Sequence, residues 1–234
     1  MTAKHVSETL RDLANPNVAE HSQRFFKTGK GQYGEGDRFL GIRVPILRTQ
    51  AKQFRDLPLK EVRSLMKSAF HEERLCALLI LVLKFAKGDE EERTTIYSLY
   101  VKNTKYINNW DLVDSSAHQI VGGYLADKDK RLLYTFAQSK SLWERRIAII
   151  ATYHFLKKDQ YKDALSISKS LLKDDEDLIH KAVGWMLREI GKRDLATEET
   201  FLKAHYKQMP RTMLRYAIEK FPERERKRYL NGLA

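Results

Sequence analysis

From Tyr124 to Val183 the chain contains neither glycine nor proline, and apolar residues recur there at three- and four-residue spacing. No other feature narrows the fold as much. The spacing lays one apolar stripe along a helix, so the stretch reads as helices cut only by short polar turns. Helices can be read in pairs along most of the chain. Lys60 to Ser68 precedes Glu72 to Ala86, and Glu90 to Lys102 precedes Trp110 to Ala126. Asp129 to Gln138 precedes Leu142 to Lys157, and Gln160 to Leu172 precedes Asp177 to Ile190. The last pair is Thr197 to Gln208 with Arg211 to Phe221. Alternating β-branched runs with paired turns are nearly absent.

The second helix of most pairs carries a basic residue followed by small and apolar ones: Arg74-Leu75-Cys76-Ala77, Arg146-Ile147-Ala148-Ile149, Lys181-Ala182-Val183-Gly184 and Arg215-Tyr216-Ala217-Ile218. Their separations are 72, 35 and 34 residues, the first being two units with the Trp110 helix between. A helix-pair unit near 35 residues marks an α-solenoid. No W-x-x-L-G-x-x-Y pattern is present, so the unit is HEAT-like rather than tetratricopeptide. The expected architecture is all-α, a right-handed solenoid with a concave basic face. It forms a single domain over residues 1–234, with divergent helices and a glycine-rich loop in 1–58 and the helical repeats in 59–234. Stacking would put the second helices side by side, with Arg146, Lys181 and Arg215 at equivalent places in a stripe. The alternative is that each of these cations pairs with a local carboxylate such as Glu144 or Glu189.

The net charge is +12 with a pI near 9.6, an excess that favours a polyanionic partner, nucleic acid first and an anionic membrane surface second. Hydrophobic content of 42% fits a globular core, and no apolar run reaches the roughly 18 residues of a membrane span. The first residues hold no apolar signal region, which with the absence of spans points to the cytoplasm. The single cysteine, Cys76, lies inside an apolar run and is expected as a buried thiol.

The N-terminal third differs from the rest. Val6 to Ala14 and Val18 to Thr28 read as two short helices broken at Asn15-Pro16. The segment from Gly29 to Gly41 follows and holds five of the eleven glycines. Gly29, Gly31 and Gly34 match G-x-G-x-x-G in letters only, because a helix precedes them and no helix start follows before Pro45. A P-loop fails too, since Gly31 stands where Ser or Thr is required. What remains is a flexible loop or short hairpin carrying Lys27, Lys30, Tyr33 and Arg38, suited either to a phosphate backbone or to a plain connection. The seven histidines show no metal spacing, and His71-Glu72-Glu73-Arg74 lacks the second histidine of H-E-x-x-H. There is no G-x-S-x-G, and Cys76 has no evident activating partner.

Chemistry concentrates in Asn108-Asn109-Trp110-Asp111-Leu112-Val113-Asp114. Trp110 and Asp114 stand one helical turn apart on one face. An indole attracts a cation and a carboxylate stabilises positive charge that develops nearby. The same spacing also suits a core tryptophan beside a solvated acid.

This segment, with Leu142-Trp143-Glu144-Arg145-Arg146-Ile147-Ala148-Ile149 and Lys181-Ala182-Val183-Gly184-Trp185-Met186-Leu187-Arg188-Glu189, resembles the signature segments of the AlkD-type DNA alkylation repair family. Phe39-Leu40-Gly41-Ile42-Arg43-Val44-Pro45 is similar to that family's segment after its first helices. The likeness runs over roughly residues 20 to 220. It implies HEAT-like repeats, and its active members are DNA glycosylases that remove cationic N3- and N7-alkylated purines without a cofactor. By motif, Trp110 and Trp185 would flank the lesion nucleotide, Asp114 would be the catalytic carboxylate, and Arg146 would hold the DNA backbone. Active members also carry a helical recognition element near Phe25, where this chain inserts Gly29 to Gly36. Some branches with a changed N-terminus lack detectable glycosylase activity and bind unusual DNA structures.

The expected partner is therefore double-stranded DNA, alkylated or branched, bound by a monomer with no membrane involved. Its contacts are expected from Lys27, Lys30, Arg38 and Arg43 in the N-terminal third. Arg74, Arg145, Lys181, Arg188 and Arg215 would add to them from the second helices. Three readings follow: a glycosylase, a non-catalytic binder of branched or distorted DNA, and a HEAT-type protein scaffold insensitive to DNA competitor.

Overall fold

Helix starts follow local chemistry. In the computed structural model, which describes all 234 residues, α1 (Ala3–Asp12) is capped by the Thr2 hydroxyl and α2 (Pro16–Phe25) by the Asn15 side chain. Pro16 opens α2, where its missing N–H would have had no partner anyway. α3 (Val44–Gln53) has Pro45 in its first turn, and α4 (Leu59–Leu65) follows Pro58. α5 (His71–Lys87) ends at Gly88, and α6 (Glu90–Val101) is capped by Asp89. α7 (Trp110–Asp114) is short, with Asn109 as its cap.

These helices and the glycine-rich segment form one compact unit, Met1–Ile120. α5 is its centre and packs against α3, α4, α6 and α7. Val6, Leu10, Leu47, Val62, Leu78, Ile80 and Leu81 are almost wholly inaccessible. Each buried aliphatic of this size contributes about 1.5–3 kcal/mol relative to exposure. The start of α5 is unusual, because His71, Glu72, Glu73 and Arg74 are all buried.

The second unit, Val121–Ala234, contains α8 (Gly123–Leu125), α9 (Arg131–Ala137), α10 (Leu142–Ala151) and α11 (Tyr153–Leu156). It continues with α12 (Lys162–Ser170), α13 (Asp177–Gly191), α14 (Leu195–His205), α15 (Arg211–Ala217) and α16 (Glu223–Leu230). α13 packs on α10, α14 and α15. Gly184 permits the last of these, since a Cβ there would stand 2.5 Å from the Met213 carbonyl oxygen. The fold is an all-α helical repeat, and no helix is long and apolar enough to cross a membrane.

The structure departs from the expected elements in three places. The helix expected over Trp110 to Ala126 is broken: α7 stops at Ser115, a π-helical turn spans His118–Gly122, and only Gly123–Leu125 resumes α geometry. The Ser115 and Ser116 hydroxyls donate to carbonyls one turn back, at Asp111 and Leu112, a pattern that bends helices. Leu142 to Lys157 breaks in the same way at Thr152, whose hydroxyl donates to the Ile149 carbonyl. Finally, α3 has no counterpart among the expected pairs, although Leu47, Ala51 and Phe54 give it a buried face. α1 packs on α4 and α3 on α5, so residues 1–58 share their core with the helices that follow.

Candidate functional site

Trp110 is half-buried, and part of its ring is already covered by the chain itself. Phe26 stacks on it with centroids 5.3 Å apart and planes at 19°, and Phe25 meets it edge-on at 6.0 Å. The column continues inward, with Phe26 on Phe39 at 5.0 Å and Phe39 on His71 at 4.6 Å. Phe25 remains 58% exposed at the end of α2.

The column ends on a buried ionic cluster. His71 Nε2 lies 2.8 Å from Asp111 Oδ2 and Nδ1 lies 3.1 Å from Asp37 Oδ2. With both ring nitrogens donating to carboxylates, the imidazole is a cation and has no lone pair for a metal. Burial works against that charge, but Asp111 and Asp37 outweigh it and raise the pKa to about 9. Asp37 also accepts from Arg74 Nη2 at 2.5 Å and from the Asn109 amide at 3.2 Å. Burial alone would raise the Asp37 pKa; the His71 hydrogen bond and the Arg74 charge hold it below the ordinary value. Beside this cluster, Glu72 accepts three successive backbone amides, those of Leu40, Gly41 and Ile42, at 2.9, 2.7 and 3.2 Å. Gly41 can take part because φ is +80° and a Cβ there would lie 2.2 Å from the Asn15 carbonyl oxygen.

The glycine-rich segment is accordingly held down. Its turns are closed by the Gly31 and Gly29 amides donating to Glu35 and Gln32, and by the Gly34 amide donating to the Lys27 carbonyl. Asp37 then ties its end to α5 and to the cap of α7. An isolated bridge between Arg38 and Phe70 is the only β-type pairing. Lys27, Lys30, Arg38 and Arg43 are exposed, with Lys27 over the Tyr33 ring and Arg38 over Phe70.

Asp114 lies one turn beyond Trp110 and lines a pocket of about 380 Å³. The apolar wall is Leu79, Val82 and Leu83 of α5; Arg48 and Lys52 enter from α3, and His118 and Gln119 from the π turn. π-helical turns are frequent at functional sites because they re-aim side chains.

Arg74 was expected at a DNA surface but is 4% exposed and paired with Asp37, so it holds the N-terminal segment instead. The reason is that residues 37–42 cover the start of α5.

In the second unit, Arg145 departs from its expected exposure in a similar way. Its guanidinium grips Asp174 at 2.6 Å and donates to the Ser139 and Lys140 carbonyls. Arg146 is 5% exposed and donates to the Leu178 carbonyl at the start of α13. Lys181 pairs with Asp177 at 2.7 Å, and Arg188 pairs with Glu219. Of Arg146, Lys181 and Arg215, the three basic residues expected in a stripe, only Arg215 is exposed. Arg146 is taken up by a carbonyl at the start of the next long helix, and Lys181 by an acid one turn back on its own helix. Trp185, further along α13, is half-buried and meets Tyr153 at 5.9 Å.

A family model described as DNA alkylation repair enzyme matches residues 6–221. The chain belongs to that family. Among solved structures it is similar to the "Predicted DNA alkylation repair enzyme from Enterococcus faecalis", with 18% identity and a TM-score of 0.72 over 90% of this chain and 97% of that one. It is also similar to smu.31 from Streptococcus mutans UA159, with 16% identity and a TM-score of 0.53 over 94% and 99%. At these identities the likeness is one of fold. No curated protein matches.

Within this DNA alkylation repair family member, sequence reasoning missed Asp37, His71 and Asp111 as a cluster and Arg48 and Lys52 beside Asp114. By spacing alone, His71 is only the first residue of an incomplete H-E-x-x-H. The available signal was the run of four ionisable residues opening an otherwise apolar helix. Arg48 and Lys52 required α3 to be recognised first.

Proposed function

We propose that this family member binds duplex DNA and hydrolyses the N-glycosidic bond of cationic N3- and N7-alkylpurines. The observation that carries the reading is Asp114, a half-buried carboxylate lining a pocket one turn from a half-buried indole. In the proposed reaction the C1′–N bond breaks with its electron pair leaving on the purine. The departing base becomes neutral and the sugar becomes an oxocarbenium-like cation. Asp114 stabilises that cation and orients the water that adds to C1′, and the water proton passes to the carboxylate or to solvent. The uncovered part of the Trp110 ring favours the cationic base by about 0.5–2 kcal/mol. Trp185 is assigned a second indole contact. Arg146 acts as a positioning residue, bracing the start of the helix that carries Trp185.

Release of 7-methylguanine from alkylated duplex tests this, comparing wild type with Asp114→Asn. The expected loss is about 100- to 1,000-fold. Equal release, or none from either protein, removes the assignment. A second reading is favoured by the pinned glycine-rich segment with its exposed Lys27 and Lys30: a non-catalytic binder of branched DNA. Tighter gel-shift binding to a four-way junction than to linear duplex, without base release, would select it.

A further inference from the structure

We propose that the pocket beside Asp114 is a binding subsite for one phosphodiester of the DNA backbone, with Arg48 and Lys52 as its donors. The inference rests on the DNA binding proposed above and adds where the strand is held.

Arg48 and Lys52 stand one turn apart on α3, and both line the pocket that holds Asp114. Both are exposed, and neither has an ion pair, hydrogen bond or ring contact. Five other arginines of the same unit are engaged, whereas Arg43 and Arg63 are not. Arg11 holds Glu73, Arg24 holds Glu20, Arg55 holds Asp56, Arg74 holds Asp37, and Arg93 donates to the Phe85 carbonyl. Like charges one turn apart repel, so this pair is an uncompensated concentration of positive charge.

The pocket's composition selects the anion. Two cations face one carboxylate, leaving a net attraction for a negatively charged group. An arginine fork takes two oxygens of a phosphate, and the lysine adds a point charge. The Leu79, Val82 and Leu83 wall offers an apolar surface to sugar carbons. A phosphodiester fits all three features. Phosphate contacts fix the register of a strand, so holding one here brings a deoxyribose of that strand to the Asp114 carboxylate.

The test is equilibrium binding of undamaged linear duplex across a salt series, which needs no catalysis. The proteins are wild type, Arg48→Ala/Lys52→Ala, and the charge-matched Lys60→Ala/Arg63→Ala on α4, each checked for an unchanged melting transition. The plot of log affinity against log salt should become shallower by about 0.9 for the α3 double variant, the contribution of one phosphate, and stay near wild type for the α4 variant. Equal slopes in all three proteins, or equal changes in both double variants, would overturn the subsite. If wild type binds no duplex, the DNA-binding reading itself fails. If the slope difference appears but no protein releases 7-methylguanine, the subsite stands and the glycosylase assignment falls.

Discussion

His71 keeps its proton in the interior because two carboxylates flank it, and this makes the fold sensitive to alkali. A histidine whose pKa rises from 6.5 to about 9 on folding contributes its full stabilisation below pH 6.5 and loses it as pH rises through about 9. The shift corresponds to about 3 kcal/mol at most. Urea midpoints should fall between pH 7 and 9.5 in wild type, while His71→Asn should be destabilised at pH 7 and nearly flat over that window. Parallel profiles would contradict this origin. Glu198 in the second unit offers the complementary case. Burial raises its pKa to about 8, and its Oε1 has no hydrogen-bond partner. Its contribution is present below the ordinary value of 4.5 and is lost as pH rises through about 8. Glu198→Gln should therefore raise the melting temperature at pH 9 and change it little at pH 5, and a loss at both would refute the assignment. Cys76 is buried and its pKa is pushed up to about 12, so thiol reagents should reach it only on unfolding.

At the scale of elements, α7 is where the sequence was most and least informative. Four-residue spacing placed Trp110 and Asp114 on one face, which the short helix preserves. Periodicity also predicted one helix continuing to Ala126, because Leu112, Val113, Ile120 and Val121 keep an apolar stripe running. Serine hydroxyls competing for backbone carbonyls, which a hydrophobic pattern does not register, end α7 instead. For the glycine-rich segment the sequence supports a flexible loop or short hairpin, because glycines suggest freedom. Asp37 pins it through partners in α5 and at the α7 cap, 34 or more residues away in sequence. Separations of that size carry no local signature. The helix pairs themselves were legible, since each buries its own stripe. Asn109 joins these elements, capping α7 through the Trp110 amide at 2.8 Å while its side-chain amide donates to Asp37. Asn109→Ala should cost about 1 kcal/mol or more in stability and red-shift the Trp110 fluorescence as α7 loosens from Phe26. An unchanged spectrum would show that α7 is held by packing alone.

For the whole molecule, family membership spans both units, since the matched residues 6–221 cross from one into the other. The net charge of +12 is spread over a surface where many cations are already paired, so affinity for DNA depends on the unpaired ones. The proposed chemistry requires a carboxylate that answers positive charge on a sugar. Single-turnover excision of 7-methylguanine, with duplex saturated by protein so that binding does not enter, tests that requirement. Wild type is predicted to release the base about 100- to 1,000-fold faster than Asp114→Asn at matched occupancy. Identical rates at full occupancy, or no release by wild type, would contradict it.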